Sequence, residues 1–127
     1  MKPKDSQRLD SDKCISRLSA VEDALYVIGG KWKLRIIIAL MEGPKRFNEL
    51  QRTVKGISAK VLSSELKMLE INGFVTREVY TGSPVAVEYQ LTDYSSTLHK
   101  VLDELVKWGN MHREKVKEQW KEKEATP

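Results

Sequence analysis

The chain has 127 residues, enough for one domain with a core. It is 40% hydrophobic and 31% charged, and its longest apolar run, 36–41, is far too short to cross a bilayer. The N-terminus MKPKDSQRLDSDK lacks the apolar centre of a signal peptide, and a single cysteine excludes an internal disulfide, so membrane and secreted classes are set aside and a cytoplasmic protein is expected.

The net charge of +4 is unevenly distributed. Residues 31–83 hold ten basic and five acidic side chains, whereas residues 84–127 hold seven basic and eight acidic. A positive excess in the middle of the chain is the pattern of a module that meets phosphates, with the ends used for something else.

In chain order, residues 1–18 read as an N-terminal arm, the first thirteen of them polar and without periodicity. Ser19 and Glu22 form a capping box that opens a helix. Val21, Leu25 and Ile28 share one stripe of it, and Gly29-Gly30 ends it. A second helix runs from Lys31 to Leu40 or Met41. Ile36, Ile37, Ile38 and Leu40 leave it little polar surface, so it is expected to be the most buried helix. Lys45-Arg46-Phe47 is long enough only for a bridge or one edge strand. Asn48 can cap a short helix from Glu49 to about Val54.

After the tight turn Lys55-Gly56-Ile57, Ser58 caps a helix expected over about 58–72, with Gly73 as its stop. Leu62, Leu66 and Leu69 fall on one narrow face. Lys60, Ser63, Ser64 and Lys67 fall on the opposite one. A face of lysines and serines suits a negatively charged, hydrogen-bonding partner such as the DNA major groove. In isolation it is equally an ordinary solvated face. Two helices joined by a short glycine-containing turn make a helix-turn-helix.

Beyond Gly73 the apolar period shortens from 3.6 to 2. Phe74 to Tyr80 and Val85 to Leu91 read as strands around the turn Thr81-Gly82-Ser83-Pro84. The resulting β-hairpin, about 74–91, is a wing. Its tip residues Gly82 and Ser83 are small enough for close approach to DNA backbone or minor groove. The fold expected is therefore mainly α with a small β-hairpin, a winged helix-turn-helix. Thr92 or Asp93 caps a last helix running to about Lys123, with Leu98, Leu102 and Leu105 on a stripe that Val101 and Trp108 widen. So long an apolar face calls for a cover. A second copy of the chain is the expected one, through the first and last helices (Val21, Leu25, Leu98, Val101, Leu102, Leu105 and Trp108). The rival is an intramolecular core over 98–108 followed by a solvated tail. The domain expected is 19–112, with 113–127 a charged helix end and tail.

These residues resemble the HxlR-type family of bacterial winged helix-turn-helix transcription regulators. The matching blocks are Ile28-Gly-Gly-Lys-Trp-Lys33, Gly43-Pro-Lys-Arg-Phe-Asn-Glu-Leu50, Gly56-Ile-Ser-Ala-Lys-Val-Leu62, Glu65-Leu-Lys-Met-Leu-Glu70, Pro84-Val-Ala-Val-Glu-Tyr-Gln-Leu-Thr92 and Trp108-Gly109. They cover about residues 19–112. The resemblance implies a dimer built by the terminal helices, with recognition helices in adjacent major grooves roughly 34 Å apart. It also implies control of nearby genes. Two departures stand out. Ser95 occupies a place where the family usually has glycine. Cys14 is followed by Ile15, where sensing members often carry a proline after the cysteine.

The expected partner is double-stranded DNA bearing an inverted repeat, read by a homodimer. The recognition set is Ser58, Lys60, Ser63, Ser64 and Lys67. Lys45, Arg46, Lys55 and Arg77 are candidate phosphate contacts, or ordinary solvated cations. The alternatives are a winged helix used for protein contacts, or binding of duplex nucleic acid without sequence preference. Cys14, between Lys13 and Arg17, is a candidate redox or electrophile sensor beside the plainer reading of an inert surface thiol. A small-molecule or redox effector is compatible with the chain and unidentified. His99 and Asp103 are spaced to share a metal but lack further ligands, so no metal is expected. No G-x-S-x-G elbow, Walker loop or H-E-x-x-H motif occurs, so neither an enzyme nor a cofactor is expected.

Overall fold

A computed structural model describes residues 8–125. The order is α1 (Ser11–Ile28), α2 (Lys33–Leu40), β1 (Lys45–Arg46), α3 (Phe47–Thr53), α4 (Ala59–Ile71), β2 (Val75–Tyr80), β3 (Ala86–Leu91), a 3-10 segment (Asp93–Leu98) and α5 (His99–Ala125). Mainly helical, with one small antiparallel sheet, this is the winged helix-turn-helix architecture expected.

The core forms where α2, α3 and α4 meet the sheet. Ile36, Ile37, Leu50, Leu62 and Leu69 are fully buried there, and Phe74 and Val75 close it from the start of β2. α2 is the central helix, as its composition predicts, although Ile38 is half exposed. Its neighbours on the helix face inward, and a single helix cannot bury all sides against a domain this small.

α1 starts eight residues before the expected cap. Asp10 is the true N-cap, its carboxylate accepting a hydrogen bond from the Lys13 N–H at 2.8 Å. The Ser19–Glu22 pair therefore lies inside a helix. A capping box is a local pattern, and the chain upstream is free to continue the helix when a better cap precedes it. The expected arm is helical from Ser11 onward, and residues 1–7 lie outside the described residues. No residue of α1 is buried.

The short helix α3 also starts earlier than expected. Arg46 rather than Asn48 is its N-cap, and Glu49 reaches back to accept from the Arg46 N–H at 3.0 Å. The edge strand expected at Lys45-Arg46-Phe47 forms over Lys45–Arg46 and joins the hairpin as a third strand. The sheet order is β1-β3-β2, with Lys45 opposite Tyr89 and Arg46 opposite Glu88. Two residues are enough to dock on the free edge of β3, and they tie the helix-turn-helix to the wing.

The join between wing and last helix is hydrogen-bonded, and the rings of Phe74 and Tyr94 stack across it at 5.2 Å. The Thr92 hydroxyl donates to the Gly73 carbonyl at 2.6 Å, and the Thr92 N–H donates to the Phe74 carbonyl at 3.0 Å. Ser95, which stands where a glycine was expected, is buried, and its hydroxyl donates to the Thr92 carbonyl at 2.6 Å. The buried hydroxyl is therefore satisfied. Thr92 caps a 3-10 turn, and the α-helix proper starts at His99. Leu98 and Leu102 are buried in the core of the protomer. This corrects their assignment to a dimer face. Val21, Leu25, Val101, Leu105 and Trp108 are exposed on the single chain. No helix of the described residues is long and apolar enough to cross a membrane.

Candidate nucleic-acid interface

α4 is presented as its periodicity predicts. Ser58 is its N-cap, the hydroxyl accepting from the Val61 N–H at 3.2 Å. Leu62, Leu66 and Leu69 are buried against the core, and Lys60, Ser63, Ser64 and Lys67 are exposed together. Gly73 ends the helix at φ +83, a left-handed conformation that costs other residues strain. Gly56, in the turn that delivers the chain into α4, is also left-handed at φ +90. The two glycines thus set the entry and exit of the helix.

Two acidic residues lie on α4 between the two faces, Glu65 and the exposed Glu70. Glu65 is mostly shielded, and its Oε2 lies 2.8 Å from Lys33 Nζ. The contact is ionic and lacks the alignment of a hydrogen bond. It anchors the middle of α4 to the start of α2. Sequence reasoning missed this pair, because nothing in local spacing links residues thirty-two apart.

The flanking cations differ in availability. Lys55 and Arg46 are exposed. The Lys45 side chain is only 16% exposed, and its Nζ is 3.5 Å from Glu42. It is the least available of the expected phosphate contacts.

The wing has two dissimilar faces, and the register defines them. Glu88 is opposite both Glu78 and Arg46, so these three share one face of the sheet. Tyr89 is opposite Arg77 and Lys45, which share the other. Tyr80 lies on the acidic side. Its phenol is pushed above its ordinary value, first by the negative charge of Glu88, with further contributions from desolvation, its hydrogen bond to Glu88 and Glu78. Arg77 is exposed on the face away from Glu78 and Glu88. Gly82 and Ser83 are exposed at the tip, next to a cis bond at Pro84.

Cys14 is exposed, and it lies in the first turn of α1 rather than in an arm. Its N–H donates to the Asp10 carbonyl at 2.9 Å.

Comparison with known proteins agrees with this arrangement. The family model for HxlR-like helix-turn-helix proteins matches residues 27–117. An uncharacterized HTH-type transcriptional regulator of Halalkalibacterium halodurans, BH0655, is 51% identical over 86 residues, spanning 67% of this chain and 76% of the relative. The uncharacterized HTH-type transcriptional regulator YtcD of Bacillus subtilis is 43% identical over 97 residues, 76% of this chain and 77% of YtcD. The YtcD crystal structure superposes with a TM-score of 0.72, covering 74% of this chain and 96% of that one. The redox regulator HypR in its reduced form is 39% identical, also with a TM-score of 0.72, covering 78% of this chain and 98% of HypR. With the helix-turn-helix and wing in place and the match running from the end of α1 into α5, the chain belongs to the HxlR-like helix-turn-helix family of transcriptional regulators.

Proposed function

We propose that this protein binds DNA sequence-specifically as a homodimer and regulates transcription from inverted-repeat sites. The observation that carries the reading is the exposed face Lys60, Ser63, Ser64 and Lys67, backed by three buried leucines on a helix that follows a glycine turn. A helix held so firmly on one side presents the other without freedom to retreat, which is what major-groove readout requires. Ser58, Arg46, Lys55 and Arg77 flank it as backbone contacts, with Lys45 in a lesser role, and Gly82 and Ser83 let the wing tip approach the backbone or minor groove.

The exposed residues Val21 and Leu25 of α1, with Val101, Leu105 and Trp108 of α5, form the dimer face in this reading. Only Val27 and Ile28, at the end of α1, pack on the protomer core, which leaves the stripe of Val21 and Leu25 uncovered. The reading unit spans 19–112, and the end of α5 from 113 prolongs the helix as a charged, solvated segment. The compartment such a regulator needs is the one that holds the chromosome, the cytoplasm.

Selection of bound fragments from the source genome, followed by titration of the enriched duplex and a scrambled duplex at several salt concentrations, tests the proposal. A steep salt dependence and a strong preference for the enriched duplex are expected. Equal affinity for both would favour binding without sequence preference, and no binding would favour a protein-contact module.

Exposure of Cys14 on α1, in a chain similar to a redox regulator, supports a second reading in which this thiol senses oxidants or electrophiles. Alkylating Cys14 should then change operator affinity, and an unchanged affinity would sink that reading.

A further inference from the structure

Three cations stand at the start of α2, and the fold uses them differently. Lys33 turns toward α4 and pairs with Glu65. Lys31 and Arg35 instead lie on the indole of Trp32, with Lys31 Nζ 4.8 Å and Arg35 Cζ 5.5 Å from the ring centroid. The same indole reaches the turn between α3 and α4. A Cβ placed on Gly56 would be 3.8 Å from Trp32 Cη2. Arg35 also lines an open cleft of about 480 Å³ together with Lys55, over a floor that includes Ile38, Ala39 and Val54. Glu42 lies on the same rim, but its carboxylate is within 3.5 Å of Lys45. Among the described residues, neither Lys31 nor Arg35 is within ion-pair distance of a carboxylate.

From this arrangement we infer that Lys31 and Arg35, held on Trp32 beside the Gly56 turn, form with Lys55 a clamp for the DNA backbone at the entry of the recognition helix. The inference rests on the DNA-binding reading above and adds contacts outside the helix-turn-helix and the wing. Packing on an aromatic face restricts two flexible side chains without neutralising them. Their charge therefore stays available to a phosphate while the entropy lost on binding is reduced. The guanidinium of Arg35 can bridge two phosphate oxygens, and Lys31 and Lys55 act as point charges on either side. Trp32 is the positioning residue of the set. Contacts of this kind set register and affinity and do not read sequence.

The test uses the full-length protein with two probes, the duplex enriched by genomic selection and a scrambled duplex of equal length. Lys31→Gln and Arg35→Gln, singly and together, are compared with Arg35→Lys and with Lys115→Gln on the distal part of α5. The double variant should bind both probes more weakly by the same factor, roughly three- to tenfold per residue at low salt. Its log–log salt slope should fall by about 2. Arg35→Lys should retain most of the slope, and Lys115→Gln should leave it unchanged. Unaltered melting temperatures would show that the variants are folded. A wild-type slope in the double variant, while Lys60→Ala lowers it, would overturn the clamp and leave the recognition helix in its role. A loss of preference for the enriched probe would also overturn it, since backbone contacts do not discriminate. Absence of binding by the wild-type protein would remove the DNA-binding reading and the clamp together.

Discussion

Lys33 Nζ and Glu65 Oε2 meet at 2.8 Å across the α2–α4 contact, with side chains 15% and 22% exposed. The pair ties the middle of α4 to the start of α2, beside the seat made by Leu62, Leu66 and Leu69. Removing one partner leaves a shielded charge alone. Glu65→Gln or Lys33→Met should each lower unfolding free energy by about 1–3 kcal/mol in urea denaturation. The double substitution Lys33→Met with Glu65→Leu should cost less than the sum of the singles. Strict additivity would show that the two side chains do not interact in solution.

The lysines of α4 make a separate prediction. Lys60→Ala and Lys67→Ala remove exposed side chains and should change stability by less than about 0.5 kcal/mol. Together they should reduce the salt slope of operator binding by up to about 2. Titration at several salt concentrations reads both effects, and wild-type affinity in the double variant would remove α4 from the interface.

The proposed dimer face is tested by charge. Leu105→Glu and Trp108→Glu place carboxylates in the exposed apolar strip of α5, and Val21→Glu does the same on α1. Each should shift the protein toward monomer in sedimentation at micromolar concentration, with weaker operator binding as a consequence. Leu102→Ala should behave differently. Its side chain belongs to the protomer core, so it should lower stability by about 2–5 kcal/mol.

Gly73 and Thr92 act together at the exit of α4. Gly73→Ala forces a Cβ into a left-handed conformation and should cost about 1–2 kcal/mol. Thr92→Val removes the hydroxyl that reaches the Gly73 carbonyl at 2.6 Å and should cost about 1 kcal/mol. Thermal unfolding measures both. A neutral Thr92→Val would mean that water replaces the hydroxyl at that carbonyl.

Much of this molecule follows from patterns confined to a few turns of chain. Leu62, Leu66 and Leu69 repeat at helical spacing, so they define the buried face of α4 and hence the exposed set Lys60, Ser63, Ser64 and Lys67. Ser58 and Gly73 bound the helix through backbone chemistry that acts over three or four residues. The alternation from Phe74 to Tyr80 and the turn at Gly82 are likewise local, which is why helix-turn-helix and wing were legible before any coordinates.

Relationships between distant segments required the tertiary structure. Helical periodicity places Leu98, Leu102 and Leu105 on one stripe, but it does not say whether a stripe meets its own domain or another molecule. Packing divides it, with Leu98 and Leu102 turned into the core and Leu105 left outside. The start of α1 at Asp10 was hidden by a second valid cap at Ser19, since local capping energies alone do not choose between two competent caps. The Lys33–Glu65 pair, the docking of β1 on β3, the approach of Trp32 to Gly56 and the shared cleft of Arg35 and Lys55 are meetings of residues far apart in the chain. Sequence supplies the chemistry of each side chain, and folding alone supplies their distances, on which electrostatic and packing energies depend.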